Sequence, residues 1–322
     1  MCQVHGCACA FVNPSLHIRL DGGNMRTTKR FSPKVLDRFL REERGTGTGP
    51  EYIPWHQVSR GDPSSSGRSH LMHWGSRLRE LLSDGELGCQ HFVVMLNDLE
   101  DCLEQYPLDI DNGSHLLNQY GHGSPLQTYP GTQTLADELK IKHPITTEKD
   151  RSAPWRATTD FVLIRRTPSG ELFLTAIAFK PSSVALSNRS KQLLSLEREY
   201  WLRRGATWLL ITPELYHPYV DQNLKSTAPW AVFGDASRQA RAVAGAIAKE
   251  NPLLSYSRVL DLIAERVGSI LDAQNAFWKA VWSAELPIDL RIAFHPKLPL
   301  KYLTQPEFMA LNPIYAGRSA WI

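Results

Sequence analysis

The distribution of apolar and polar positions predicts a mixed α/β core in the middle of the chain. Two apolar runs, Thr159 to Ile164 and Leu172 to Phe179, flank the turn-forming segment 167–170. This arrangement is typical of a β-hairpin. A helical pattern follows from Ser190 to Arg204, and the short apolar run Thr207 to Thr212 then reads as a buried strand. We therefore expect a hairpin, a helix and a further strand in one sheet.

Helical patterns lie on both sides of this core. A short basic helix is predicted from Pro33 to Glu43, and Ser83 to Glu86 has the form of a capping box before an apolar segment. The polar stretch from Pro107 to about Thr134 predicts a loop or insertion. Beyond about residue 216 the pattern becomes helical, with predicted helices Ala236 to Glu250, Ser257 to Ala273 and Asn275 to Ser283.

These changes of pattern divide the chain into three parts. Residues 1–24 show no periodicity, and Met25 opens a stretch typical of a natural start, so we expect 1–24 to be a disordered extension or a mis-annotated start. Residues 25–215 form the predicted mixed α/β domain. Residues 216–322 form a second, mostly helical domain.

Composition and charge restrict the class of protein. The 322 residues are 42% hydrophobic, which supports ordinary packed cores, and the net charge of +3 is too small to indicate nucleic-acid binding by itself. No apolar run is long enough to span a bilayer and no secretory signal is visible, so we expect a cytoplasmic protein. The odd count of five cysteines argues against a disulfide framework.

Asp160 and Lys180 are the first candidates for chemistry. Antiparallel pairing places the start of one hairpin strand beside the end of the other, so this acid and this amine are expected to be neighbours. Such a pair at a strand end suits metal-dependent hydrolysis of a phosphodiester. It is equally compatible with a surface salt bridge, which contributes under about 1 kcal/mol.

Two glutamates are further candidates, each with a structural alternative. Glu86 fits the third position of a capping box, where it would stabilise a helix start. Glu197 falls on the apolar face of the predicted helix 190–204, where a carboxylate is costly to bury without a partner. Glu197 either supports or binds a ligand at a functional site, or lies at the edge of that face and reaches water.

Four arginines that precede Glu86 in the chain could contact a nucleic-acid backbone. They are Arg60, Arg68, Arg77 and Arg79. The alternative is an ordinary solvated loop.

A set of short motifs occurs along the chain in one order. They are Arg44-Gly45-Thr46-Gly47, Tyr52-Ile53-Pro54-Trp55, Ser66-Gly67-Arg68-Ser69-His70, Leu82-Ser83-Asp84-Gly85-Glu86-Leu87, Glu104-Gln105-Tyr106-Pro107-Leu108, Lys142-His143-Pro144, Thr159-Asp160-Phe161, Phe179-Lys180-Pro181 and Leu196-Glu197-Arg198-Glu199-Tyr200-Trp201. Together they resemble the TnsA endonucleases, the nuclease subunits of heteromeric Tns-type transposases. The resemblance covers residues 44–212 strongly and the C-terminal region in outline.

The resemblance implies a restriction-endonuclease-like α/β fold, with a mixed sheet flanked by helices and a C-terminal, mostly helical, winged-helix-like interaction domain. It implies a nuclease that cuts the 5′ ends of a mobile element, on the non-transferred strand, during cut-and-paste DNA transposition. The implied partners are transposon-end DNA, a TnsB-type transposase and a TnsC-type ATPase regulator.

The resemblance also assigns roles to individual residues. It implies that Glu86 and Asp160 bind Mg²⁺, for which Mn²⁺ could substitute, together with the backbone carbonyl of Phe179. Lys180 would be the catalytic lysine, and Glu197 matches a glutamate near the site that could be a further ligand. The family pattern has Gln two residues before the lysine, whereas this chain has Ala178. An alanine side chain cannot bind metal, so whether one or two ions bind is left open.

Two other functions remain compatible with the sequence. A non-catalytic adaptor, linking a transposase to its ATPase regulator, would explain Ala178 as a sign of a decayed site. A free-standing restriction-type nuclease would cut DNA without partners.

Overall fold

The structure is a computed structural model that describes residues 31–62, 68–123 and 126–321. The predicted extension 1–24 lies outside these ranges. The described helices are α1 (Pro33–Arg41), α2 (Asp84–Val94), α3 (Thr132–Glu138), α4 (Asn188–Leu202), α5 (Pro218–Ala231), α6 (Arg238–Glu250), α7 (Tyr256–Val267), α8 (Ile270–Trp282) and α9 (Gln305–Met309). The strands are β1 (His70–Trp74), β2 (Arg77–Leu81), β3 (Leu99–Pro107), β4 (Ile145–Glu148), β5 (Arg151–Pro154), β6 (Thr158–Arg166), β7 (Leu172–Phe179) and β8 (Thr207–Ile211).

A four-stranded mixed sheet forms the centre of the molecule. Its order is β3-β6-β7-β8, with antiparallel pairing of β3 to β6 and of β6 to β7, and parallel pairing of β7 to β8. Parallel neighbours require a crossover connection, and α4 provides it. The predicted hairpin, the helix after it and the mixed α/β class are confirmed.

Apolar residues cover both faces of this sheet. Alternate residues such as Phe161 and Ile177 pack with α2 and with the helices that follow β8. The intervening residues, such as Val162 and Ala176, pack against α4 in a second group, which we call the α4-side cluster. The hairpin strands read as nearly continuous apolar runs because both faces of the sheet are covered.

The C-terminal region is mostly helical, as predicted. Helices α5 to α8 follow the last strand of the sheet. Helix α5 was not predicted, because Pro218 and Pro229 interrupt its pattern; Pro218 stands at the helix start, where proline is tolerated, and Pro229 lies near the end. One apolar cluster runs from the sheet into these helices. The division at residue 215 and the winged-helix form therefore stay predictions.

The segment between Pro107 and Thr134 is less loop-like than expected. It contains a short 3₁₀-helix, Leu116–Tyr120, whose Leu116 and Leu117 are buried in the α4-side cluster. The predicted loop is therefore packed against the core in part.

In the described ranges, no helix combines the length and the apolarity needed to cross a membrane. Cys89 and Cys102 are buried free thiols.

Candidate active site

Asp160 and Lys180 meet at one end of the hairpin, as the antiparallel geometry predicts. The Nζ atom of Lys180 lies 3.5 Å from Oδ2 of Asp160 and donates a 2.8 Å hydrogen bond to the Phe179 carbonyl oxygen. The backbone amide of Phe179 donates a 2.7 Å hydrogen bond to the same Oδ2. Within the described residues, no donor reaches Oδ1 of Asp160. The pair is more than a side-chain salt bridge, since the backbone at the end of β7 orients the acid.

The ammonium group of Lys180 is held in its charged form. Burial lowers its pKa, but the charges of Asp160 and Glu197 act in the opposite direction and raise the pKa overall. Lys180 therefore carries a positive charge at neutral pH. It is suited to bind an anionic phosphate or to orient water, and it is not suited to act as a base.

Glu86 reaches the site from the start of α2 and also caps that helix. Ser83 is the N-cap, and its Oγ accepts a 3.1 Å hydrogen bond from the Glu86 amide. The Glu86 side chain accepts a 2.9 Å bond from the amide of Leu82, one residue before the N-cap. The bond from the Glu86 amide to the N-cap side chain is therefore present as predicted. The return bond to the Glu86 side chain comes from the amide of Leu82 and not from that of Ser83. The cap holds the carboxylate in place, so capping and a site role are compatible.

Gln105 is a site residue to which sequence reasoning assigned no role. Its Nε2 donates a 2.9 Å hydrogen bond to Oε2 of Glu86, and its side chain is buried. The residue has a left-handed φ of 51°, and its neighbours Glu104 and Tyr106 pair with Phe161 and Thr159 of β6. This register places Gln105 opposite Asp160. Its sequence signal is its position inside the motif Glu104-Gln105-Tyr106-Pro107-Leu108.

The carboxyl group of Glu86 is perturbed by its surroundings. Burial, and next the charge of Asp160, raise the pKa of Glu86 to about 7. The two carboxylates therefore repel each other when both are ionised. A cation near them would offset that repulsion.

Glu197 lies in the α4 helix beneath the same strand end and is 8% exposed. Its Oε1 accepts hydrogen bonds from the Thr159 hydroxyl at 2.9 Å and from the Trp208 indole at 3.3 Å. Burial raises its pKa to about 7, against the charge of Lys180, which lowers the pKa. Glu197 therefore does not reach water at the edge of the helix face. It is buried, hydrogen-bonded and close enough to Lys180 for their charges to interact.

Ala178 is buried in the α4-side cluster and is 1% exposed. It pairs with Leu210 of β8. The residue fills a core position beside the site and contributes no polar atom from its side chain.

The structure does not favour phosphate contacts for two of the four arginines considered as candidates for DNA binding. Arg77 and Arg79 are both buried and both pair with the fully buried Glu104, at 2.5 Å and 3.2 Å. Burial in an ion pair removes them from the surface that DNA could reach. Arg68 differs, because its side chain is 80% exposed and lies 3.5 Å from Asp84 at the start of α2. DNA binding by Arg68 stays a prediction.

The oxygen atoms near the strand end are potential ligands for a metal ion. In the described part of the chain, no group of three or more His, Cys, Asp or Glu side chains is arranged to hold an ion. The oxygens near the strand end are instead two carboxylates, of Glu86 and Asp160, and the Phe179 carbonyl. Hard oxygen donors of this kind are those that Mg²⁺ prefers. The Phe179 carbonyl accepts from Lys180 but retains a second lone pair, so the donor chemistry fits Mg²⁺ or Mn²⁺.

Comparison with known proteins supports the resemblance drawn from the motifs. Residues 125–213 match the N-terminal part of the TnsA-like endonuclease family. A curated relative, the Transposon Tn7 transposition protein TnsA of Escherichia coli, is 30% identical over 202 residues, which cover 62% of this chain and 64% of the relative. The predicted resemblance to TnsA-like endonucleases is confirmed. Asp160, Lys180 and Glu197 lie inside the matched segment, and Glu86 precedes it.

Proposed function

We propose that this TnsA-like chain is a metal-dependent DNA endonuclease that cuts the non-transferred, 5′ strands at transposon ends. One observation carries the proposal: Asp160, Lys180 and the Phe179 backbone form a hydrogen-bonded group at a strand end, with Glu86 held close by its helix cap. A salt bridge alone would need neither the amide bond to Asp160 nor the second carboxylate.

Each residue has a role that follows from its surroundings. Glu86, Asp160 and the Phe179 carbonyl would hold Mg²⁺, which when bound neutralises charge on a phosphate and activates water. Lys180 remains protonated and stabilises negative charge that develops on the scissile phosphate. Gln105 holds Glu86 by its amide. Glu197 adds negative charge beside Lys180, where it either contacts the ion or keeps the lysine charged.

The partners follow from the TnsA likeness and are part of the proposal. A nuclease that cuts only the 5′ strands leaves the 3′ ends to another enzyme, so the chain would act with a TnsB-type transposase and a TnsC-type ATPase regulator in heteromeric transposition. We propose that the mostly helical region α5 to α8 contacts these partner proteins.

The test uses the full chain with its partner transposase on labelled transposon-end DNA. Asp160→Ala and Lys180→Ala should abolish 5′-strand cleavage, while 3′-strand cleavage by the partner persists. Lys191→Ala, an exposed lysine on α4, is the control and should cut normally. Normal 5′ cleavage by either site variant would refute the proposal.

The same material separates the two alternatives. A non-catalytic adaptor should bind no Mn²⁺ in a manner that depends on Asp160. A free-standing nuclease should cut the DNA without the transposase. Ala178 does not by itself favour the adaptor, since its side chain is buried in the core.

A further inference from the structure

Residues 319–321 lie along the outer edge of β8, the end strand of the central sheet. The amide of Ala320 donates a 2.8 Å hydrogen bond to the Leu210 carbonyl, and the Leu210 amide donates a 3.0 Å bond to Oγ of Ser319. The edge of a sheet otherwise presents unpaired backbone groups to solvent. This segment therefore returns from the helical region and binds the catalytic sheet.

Trp321 of this segment packs against Trp208 of β8. The two rings are nearly perpendicular, at 87°, with centroids 5.6 Å apart. Edge-to-face packing of this kind is a favourable arrangement of two aromatic rings. Trp208 is 6% exposed, and Trp321 packs on the α4-side cluster to which Trp208 belongs. Trp321 thus covers the indole ring of Trp208.

Trp208 in turn contacts the site through its indole nitrogen. This nitrogen donates to Oε1 of Glu197 at 3.3 Å, slightly beyond the usual range for such bonds. The other donor to Oε1, the Thr159 hydroxyl, is itself fixed by a 2.8 Å bond from the Trp201 indole. Thr159 is held from α4, whereas Trp208 is the donor that packs against the segment 319–321.

We propose that the segment 319–321 is a positioning element of the active site, in which Trp321 fixes the Trp208 indole and thereby places the Glu197 carboxylate beside Asp160 and Lys180. The inference rests on the proposed metal-dependent nuclease site and extends it. Trp321 and Trp208 are positioning residues, because they act through Glu197. With both donors on Oε1, no donor among the described residues reaches Oε2 of Glu197, so that oxygen is available to the site.

The test measures Mn²⁺ binding to the full chain by the electron paramagnetic resonance signal of free Mn²⁺. Groups that orient a metal ligand typically contribute about 10- to 100-fold in affinity. Trp321 is one step further away, so Trp321→Ala should weaken binding about three- to tenfold. Trp208→Phe, which keeps a ring but removes the N–H donor, should do the same, and Trp321→Phe should retain most of the affinity. Tyr315→Ala, an exposed aromatic in the same tail, is the matched control and should bind normally.

A double-mutant cycle shows whether the effect passes through Glu197. In a Glu197→Gln background, Trp321→Ala should cause no further loss, because the group it positions has already been changed. An equal loss in both backgrounds, or unchanged affinity in Trp321→Ala, would overturn the inference. Circular dichroism of each variant verifies that the chain is folded.

Asp160→Ala separates failure of the inference from failure of the proposed function. If Asp160→Ala abolishes Mn²⁺ binding while Trp321→Ala leaves it unchanged, the positioning role is refuted and the metal site stands. If the unaltered chain binds no Mn²⁺, or binds it independently of Asp160, the proposed site and this inference both fail.

Discussion

The ammonium nitrogen of Lys180 lies 3.5 Å from a carboxylate oxygen of Asp160. The same nitrogen is bonded to the Phe179 carbonyl, so a single cation is held between a side chain and a backbone group that are both proposed to face Mg²⁺. In the proposed site the lysine and the metal would therefore share ligands, and their charges would repel each other. This sharing leads to opposite expectations for binding and for catalysis.

Replacing Lys180 by methionine should separate the two. Loss of the ammonium removes a positive charge beside Asp160, so Mn²⁺ affinity should stay the same or rise. DNA cleavage should fall by at least about 100-fold, the loss expected when a group that stabilises developing charge is removed. Mn²⁺ binding and 5′-strand cleavage are measured on the same preparation. Weaker Mn²⁺ binding in Lys180→Met would mean instead that the lysine supports the shape of the site.

Gly85 allows a test of the contact between α2 and the end of β7. A Cβ atom at this position would overlap the ring of Phe179, whose amide and carbonyl groups bind Asp160 and Lys180. We expect Gly85→Ala to displace Phe179 and reduce cleavage about tenfold or more, because small displacements in a positioned site are costly.

Gly245→Ala is the control for this glycine. Gly245 lies inside α6 and a Cβ there would meet nothing within 4 Å, so alanine should stabilise the helix by about 0.5–1 kcal/mol without affecting cleavage. Thermal unfolding and cleavage are compared in both variants. Full activity in Gly85→Ala would show that Phe179 can move without harm to the site.

The buried pair of Arg77 and Glu104 should be essential for stability. Glu104 is fully buried and accepts two 2.5 Å hydrogen bonds from the Arg77 guanidinium. Removing one partner leaves an uncompensated buried charge, so Glu104→Ala should lower the free energy of unfolding by about 3–5 kcal/mol. Guanidinium chloride unfolding measures the loss.

The exposed pair of Arg166 and Glu100, on the same sheet, is the matched control. Glu100→Ala should change stability little, since exposed ion pairs contribute little. A small effect of Glu104→Ala would show that Arg77 can reach solvent, and it would restore Arg77 as a candidate for DNA contact.

Stability in the absence of metal should depend on pH through Glu197. Its pKa is raised to about 7 in the folded chain, whereas an unfolded glutamate has a pKa of about 4.5. Between these values the folded state holds a proton that the unfolded state has released. The free energy of unfolding therefore decreases as pH rises through this range, by about 1–3 kcal/mol for this group.

Glu197→Gln should remove that part of the decrease. The free energies of unfolding of the variant and the unaltered chain are measured at pH 5 and pH 8 in the presence of a metal chelator. The stability of the variant relative to the unaltered chain should be greater at pH 8 than at pH 5. A stability difference that is the same at both pH values would contradict a raised pKa for Glu197.

The sequence by itself determined the hairpin, the helix and strand that follow it, and the chemical candidates. Apolar runs of the right length and a turn segment specify the hairpin locally, and antiparallel pairing follows from the turn, so the meeting of Asp160 and Lys180 could be predicted. The Ser83 cap is likewise a local signal, because it depends on residues only three positions apart. The motif order gave the family likeness.

Tertiary structure decided what these residues contact. Gln105 meets Glu86 only because its own left-handed backbone and the pairing of β3 with β6 bring it opposite Asp160. Both interpretations of Arg77 from sequence, a DNA contact and a solvated loop, place it at the surface, since a sequence pattern cannot show that Glu104, 27 positions away, would be buried against it. Trp321 reaches Trp208 from 113 positions along the chain. Such contacts depend on how whole helices and strands pack against each other. The residue pattern within one element does not show which other element it will contact.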